Sequence, residues 1–278
     1  MTAHQFGYAK LDQPGVVRLL FHPRKEVDSI PPPGAIDYDI TVEENVQIGA
    51  RFHMADSGNP NILFFHGNGE IVSDYDTIGP MYNEHGLNLL AVDYRGYGRS
   101  KGEPTVTSMM LDAHVIFKEV RQWLQDAGHT GPFVIMGRSL GSACALELAA
   151  SYETDISGLI IESGFAHTVP LLNCLGIDTE ALGITEADGL KNIQKIAQFS
   201  KPTFIIHAQH DQFIPVMTAE ILQVQCAARS KEFQMVPGAD HNTIMTQTGK
   251  QYFEVIKRFT NKIEGKREKR SFRRKRRG

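Results

Sequence analysis

Cysteine is scarce in this chain and scattered. Cys144, Cys174 and Cys226 are the only three, and no two form a CxxC pair. An odd, widely spaced set argues against a disulfide framework or a zinc site and suits a reducing compartment. No stretch approaches the ~18 consecutive apolar residues that a membrane span needs. The opening residues, MTAHQFGYAKLDQPG, have no basic region followed by an apolar run, so no secretory signal is expected and a cytoplasmic location is. There is no G-x-x-x-x-G-K-[ST] loop. The glycine-rich DYRGYGRS (93–100) misses G-x-G-x-x-G, because neither Lys101 nor Gly102 completes the spacing. Nucleotide binding is therefore not expected. His207 and His210 lack a third ligand at sensible spacing and there is no HExxH, so neither a metal nor a cofactor is expected.

What remains is ordinary globular composition: 278 residues, 41% hydrophobic and 22% charged. A chain of this length favours one large domain over two small ones. The formal net charge of -3 hides an asymmetry. Residues 262–278 carry a net +8 and the rest of the chain -11. A tail as basic as KREKRSFRRKRRG cannot bury a core, so 264–278 is expected to be disordered. Such a tail suits contact with anionic lipid or nucleic acid, or is a solvated extension with no partner. One aromatic, Phe272, is too little for a stacking platform.

Residues 1–35 read as an irregular N-terminal extension, in which VVRLLF (16–21) predicts a short strand or packing segment. IDYDITV (36–42) and VQIGARFHM (46–54) predict an antiparallel hairpin. From NILFFHG (61–67) onward strands and helices alternate. Strands are expected at 61–67, 87–94, 132–137, 157–163, 203–208 and 232–237. Helices are expected at 74–84, 106–127, 140–152, 219–228 and 248–263. That alternation predicts an α/β domain over 36–263, with a mostly parallel sheet and helices on both faces. Chemically active residues in such sheets collect beyond the carboxyl ends of the strands.

Three residue types meet that rule. Gly137-Arg138-Ser139-Leu140-Gly141 fits G-x-S-x-G between a strand and a helix, the context of a nucleophile elbow. A serine hydroxyl needs a base, and His241 in VPGADHN follows the last apolar strand. The imidazole needs an acid to orient it, and Asp211 follows strand 203–208. Glu162 and Asp93 also follow strands and compete for that role, and His207 and His210 compete for that of base. Donors for an oxyanion are expected from the backbone N–H groups of Leu140 and Asn68, the latter in FHGNGE (65–70). His66 is expected to anchor that loop rather than move protons, and the loop at 93–100 to support it. Arg138 could pair with an acid near the site or only fill space. Cys144, in the apolar run ACALELAA, reads as a small buried residue.

Taken together, HGNGE (66–70), DYRGYGRSKGEP (93–104), GRSLG (137–141), IESGF (161–165), HAQHDQFIP (207–215) and GADHN (238–242) resemble the α/β hydrolases. The nearest likeness is to small-lid serine hydrolases with HGN and GRSLG motifs. That group includes the abhydrolase-domain depalmitoylating thioesterases and many bacterial hydrolases. The likeness runs from about residue 17 to 262. It implies the α/β-hydrolase fold, Ser139 as nucleophile, Asp211 as acid, His241 as base, and oxyanion donors near Asn68 and Leu140. It also implies a small lid at about 165–201, where Leu171, Leu172, Leu175, Ile177 and Leu182 either line an acyl pocket or form the lid's own core. Two features depart from the pattern. Ala208 stands where many relatives have glycine, and the N-terminus lacks the cysteine cluster that membrane-anchored depalmitoylases lipidate.

The expected activity is hydrolysis of carboxylic esters or thioesters through an acyl-enzyme, on a small-molecule or lipid acyl substrate. The alternatives are an amidase or aminopeptidase on the same residues, and a non-catalytic binding protein on the same fold.

Overall fold

In the computed structural model, residues 7–26 and 29–266 are described. Most of the basic tail, 267–278, lies outside them, and with it the expectation of disorder and of a lipid or nucleic-acid contact there.

The sheet has eight strands among the described residues: β1 (Ala35–Glu43), β2 (Val46–His53), β3 (Asn61–Phe65), β4 (Asn88–Val92), β5 (Phe133–Arg138), β6 (Gly158–Glu162), β7 (Thr203–Ala208) and β8 (Lys231–Val236). Their order across the sheet is β1-β2-β4-β3-β5-β6-β7-β8. β1 pairs antiparallel with β2, and β2 antiparallel with β4. Every later neighbour pairs in parallel. The fold is the α/β-hydrolase arrangement that the alternation and the motifs predict, with its N-terminal antiparallel hairpin.

Both faces of the sheet are buried, as parallel strands require. Strand residues alternate between the two cores because side chains in a strand have a period of two. Leu63 and Phe65 of β3 enter one core, with side chains of α1 (Pro14–Leu20), α3 (Val106–Asp126), α4 (Gly141–Ser151) and α7 (Val216–Gln225). Ile62 and Phe64 enter the other, against α2 (Gly79–Glu84) and α9 (Lys250–Ile263). Between β6 and β7, α5 (Thr168–Cys174) and α6 (Asn192–Ile196) occupy the segment expected to be a lid. Among the described residues, no helix is long and apolar enough to cross a membrane.

The structure settles or corrects the expected elements at four places. Residues 16–21 form the packing segment and not the strand of the two alternatives. They lie mostly in α1, whose first helical residue is Pro14, where the missing N–H costs nothing. Val16 and Leu20, four apart, face the core together. The helix expected over 74–84 is a 3-10 turn at Val72–Tyr75 and then α2, because Pro80 cannot continue a helix from the preceding turn. The helix expected at 219–228 starts three residues earlier, directly after Pro215. The helix expected at 248–263 is α9, and before it, across Gly249 with a φ of 54°, stands a short helix that was not expected, α8 (Ile244–Thr248). In addition, residues 7–21 are not loose. Tyr8, Leu11, Val16, Leu20 and Phe21 are buried in the main core.

A buried ion cluster ties this N-terminal segment down. The Lys195 ammonium, 1% exposed, lies 2.6 Å from Glu147 and 3.0 Å from the Tyr8 hydroxyl. His114 of α3 reaches the same Glu147 at 3.2 Å. Burial pushes the Glu147 carboxyl upward, but His114 and Lys195 outweigh it and bring its pKa from 4.5 to about 2. A depressed carboxylate pKa adds stability at neutral pH that is lost as pH falls from about 4.5 towards 2. Lys195→Met takes the nearest cation from Glu147, which keeps His114 and the Tyr8 hydroxyl, and is expected to cost about 3 kcal/mol in urea unfolding at pH 7. Adding Glu147→Gln should recover most of that loss; no recovery would mean that the packing of Lys195, not the charge pair, sets the cost.

Candidate active site

β5 delivers its last residue, Arg138, straight into a turn. Ser139 there has a φ of 50°, a conformation L-residues seldom adopt and that costs of order 1–3 kcal/mol. The turn is tight on both sides. A Cβ on Gly137 would run into the carbonyl of Gly141, and one on Gly141 into the carbonyl of Phe65 at the end of β3. The two glycines thus let α4 close against the sheet. The Ser139 N–H donates to the Glu162 carbonyl at 2.9 Å, which hangs the turn from the end of β6.

β7 leads to Asp211 and β8 to His241. Asp211 Oδ1 accepts from the backbone N–H groups of Phe213 (3.1 Å) and Ile214 (2.8 Å). Its Oδ2 lies 2.7 Å from His241 Nδ1. His241 Nε2 in turn lies 2.9 Å from Ser139 Oγ. A carboxylate only accepts, so Nδ1 carries the proton and Nε2 is left to accept from the hydroxyl. Burial raises the Asp211 carboxyl, but the hydrogen bond and charge of His241 prevail and hold its pKa below the ordinary value.

Serine, imidazole and carboxylate therefore form one continuous chain at the carboxyl edge of the sheet, in the sequence order serine, acid, histidine. Comparisons with known proteins bear on the family and the fold. Residues 58–175 match the family model described as "Serine aminopeptidase, S33". Human alpha/beta hydrolase domain-containing protein 17B is 30% identical over 205 residues, which is 72% of this chain and 66% of that protein. A Pyrococcus furiosus esterase, Pf2001, superposes with a TM-score of 0.70 at 17% identity, covering 87% of this chain and 98% of that one. A soluble variant of the monoglyceride lipase of Saccharomyces cerevisiae superposes at 0.66 with 18% identity, covering 88% and 98%.

The chain belongs to the α/β-hydrolase superfamily.

The competitors weighed on the sequence have other partners in this fold. Glu162 pairs with Arg138 and accepts from Tyr252. Asp93 holds His66 at 3.1 Å, and the other nitrogen of that ring faces the Gly67 carbonyl at 2.8 Å. With acceptors on both sides, His66 donates twice. Burial lowers its pKa, but the Asp93 carboxylate more than reverses that. His66 is 0% exposed and anchors the loop it begins. His207 donates to the Ile214 carbonyl at 2.7 Å from a fully buried position, and burial keeps its pKa low. His210 is exposed. Cys144 is buried in α4.

Asn68 and Leu140 line the same cavity as Ser139, a space of about 390 Å³. The Asn68 side chain is clamped, with its Oδ1 accepting from the Tyr97 hydroxyl (2.6 Å) and from the His22 N–H (2.9 Å). The 93–100 loop thus supports the 66–70 loop through Tyr97. His22 comes from the N-terminal segment, and no motif in the sequence marks it.

One wall of the cavity is apolar: Leu20, Leu171, Leu175, Phe213 and Ile214. The leucines expected either to line a pocket or to form a lid core divide between the two. Leu171 and Leu175 line the cavity, whereas Leu172 and Ile177 are buried in the core below and Leu182 packs against it. Phe213 meets the His241 ring edge-on with 5.4 Å between centroids. Among the described residues, no group of three or more His, Cys, Asp and Glu side chains could hold a metal ion.

Proposed function

We propose that the chain is a serine hydrolase that cleaves carboxylic ester or thioester bonds through an acyl-enzyme. The observation that carries this reading is the unbroken chain from Ser139 Oγ through His241 to Asp211, at 2.9 and 2.7 Å. In this reading Ser139 attacks the acyl carbonyl while Nε2 of His241 takes its proton. The imidazolium, steadied by Asp211, then hands that proton to the leaving oxygen or sulfur. The negative oxygen of the tetrahedral intermediate is met by the backbone N–H groups of Leu140 and Asn68, each worth roughly 3 kcal/mol. Water, deprotonated by the same imidazole, releases the acid. No step calls for a cofactor.

The apolar wall suits an acyl chain, and the polar residues Ser139, Asn68, His22 and His241 line the same cavity. Labelling by a fluorophosphonate probe and turnover of a p-nitrophenyl ester series beside acyl-CoAs test the reading. A protein that neither labels nor turns over any of them would sink it. Each added methylene that finds the apolar wall is worth about 0.8 kcal/mol, so kcat/KM should climb about fourfold per carbon until the cavity is full. Leu175→Trp fills that wall. It is expected to leave acetate hydrolysis within about twofold of wild type and to end the climb at a shorter chain.

The description of the matched family model favours one second reading, a peptidase on the same residues. Aminoacyl-anilides turned over faster than esters of comparable leaving group would select it. Contact of the basic C-terminal residues with anionic lipid or nucleic acid, in a reducing cytoplasmic setting, belongs to the proposal as well. Binding to anionic vesicles or RNA that weakens steeply with salt is its signature.

A further inference from the structure

Arg138 lies beside the nucleophile with its side chain 12% exposed, and its partners are not scattered. Nη2 donates to the His241 backbone carbonyl at 2.8 Å and to Asn242 Oδ1 at 2.9 Å. Nη1 pairs closely with Glu70. Nε faces Glu162 Oε1 at 3.3 Å. Glu70 turns its other oxygen to the Gly67 N–H at 2.8 Å and to the Tyr75 hydroxyl at 2.7 Å. One guanidinium therefore touches the loop that carries His241, the loop that carries Asn68, and the strand end from which Ser139 hangs.

Gly67 shows how closely these loops are fitted to it. A Cβ there would come within 2.5 Å of Arg138 Nη1 and 2.8 Å of Glu70 Oε1, so the guanidinium and its carboxylate occupy the space a side chain would need. Arginine is suited to such a place by its rigid fork of five donors, which a lysine ammonium cannot match.

We propose that Arg138 is a positioning residue: its guanidinium fixes the histidine loop and the oxyanion loop relative to each other and to the serine turn. The proposal rests on the hydrolase reading of Ser139. It assigns Arg138 no contact with substrate. Its effect passes through the His241 main chain and through Glu70 to the Gly67 N–H, one residue before Asn68. A catalytic group displaced by about 1 Å can lose roughly 10²-fold in rate. Arg138 and Asn242 line the same cavity as Ser139, but its apolar wall is made by other residues, so loss of the fork should fall on kcat more than on KM.

Arg138→Lys keeps the charge between Glu70 and Glu162 and so protects the fold, but cannot serve all four acceptors. Asn242→Ala removes one acceptor only. The expected result is a kcat lower by about 10- to 100-fold in Arg138→Lys, with KM within about threefold. Asn242→Ala should show a smaller fall of the same kind. The far-downfield proton resonance of His241 Nδ1, hydrogen-bonded to Asp211, should broaden or shift in both variants at unchanged melting temperature. Unchanged kcat and an unchanged resonance in folded Arg138→Lys would overturn the proposal, as would a KM rise that accounts for the whole loss. If Arg138→Lys does not fold, Asn242→Ala decides on the same two readouts. A wild type inert to probe and esters defeats the hydrolase reading instead. The proton resonance then still reports whether Arg138 holds His241 in place.

Discussion

Ser139→Ala is expected to abolish fluorophosphonate labelling and to lower ester turnover by about 10⁴- to 10⁶-fold, in a protein that remains folded. The size follows from the arrangement: with Oγ gone, His241 has no nucleophile to activate, and only the oxyanion donors and acyl binding remain to help a water molecule. Ser139→Gly should be equally inactive but differ in stability. The backbone at 139 sits at a φ of 50°, where alanine suffers the same strain as serine and glycine does not. The glycine variant is expected to be more stable than the alanine variant by about 1 kcal/mol, read as a rise of about 2 °C in melting temperature. Equal labelling of wild type and Ser139→Ala would place the reactive group elsewhere. Equal stability of the two variants would mean that the turn stores no strain in the folded protein.

That strain was legible before any coordinates, because Gly137 and Gly141 flank the serine at a strand-to-helix junction and only a cramped turn needs both. The triad was legible for a related reason. Each member follows an apolar run, and a parallel sheet sends all such positions to one edge. Local pattern was weaker where two structures satisfy it equally. VVRLLF suits a strand by its β-branched start and a helix by the spacing of Val16 and Leu20, and packing onto the core decided for the helix. The break between Tyr75 and Gly79 turned on Pro80, whose meaning depends on whether it opens a helix or interrupts one. For Arg138 the sequence offered only an unnamed acid as partner, which proves to be Glu70 and Glu162, and it offered nothing for His22. Their partners, Glu70, His241 and Asn68, are 46 to 103 residues away, and nothing local marks a side chain whose work is to join distant loops.

The acid offers the second large effect. Asp211→Asn is close to isosteric, and the Phe213 and Ile214 N–H groups can still donate to its amide oxygen. The amide nitrogen is then left to face His241. It can only donate, so Nδ1 must accept and the ring proton moves to Nε2, the atom that has to take the proton from Ser139. The variant should lose about 10⁴-fold in kcat with little change in fold. A second signature is the pH dependence of stability. The Asp211 pKa is lowered in the folded protein from 3.8, so its charge adds stability at neutral pH. That contribution is complete above about pH 4 and is lost as the pH falls through the folded value. Any stability advantage of wild type over Asp211→Asn at pH 7 should therefore shrink on acidification. Thermal melts of both proteins between pH 7 and pH 3, beside kcat for one ester, check the two signatures together. An asparagine variant that keeps a tenth or more of wild-type kcat would show that the imidazole is oriented by something other than this carboxylate.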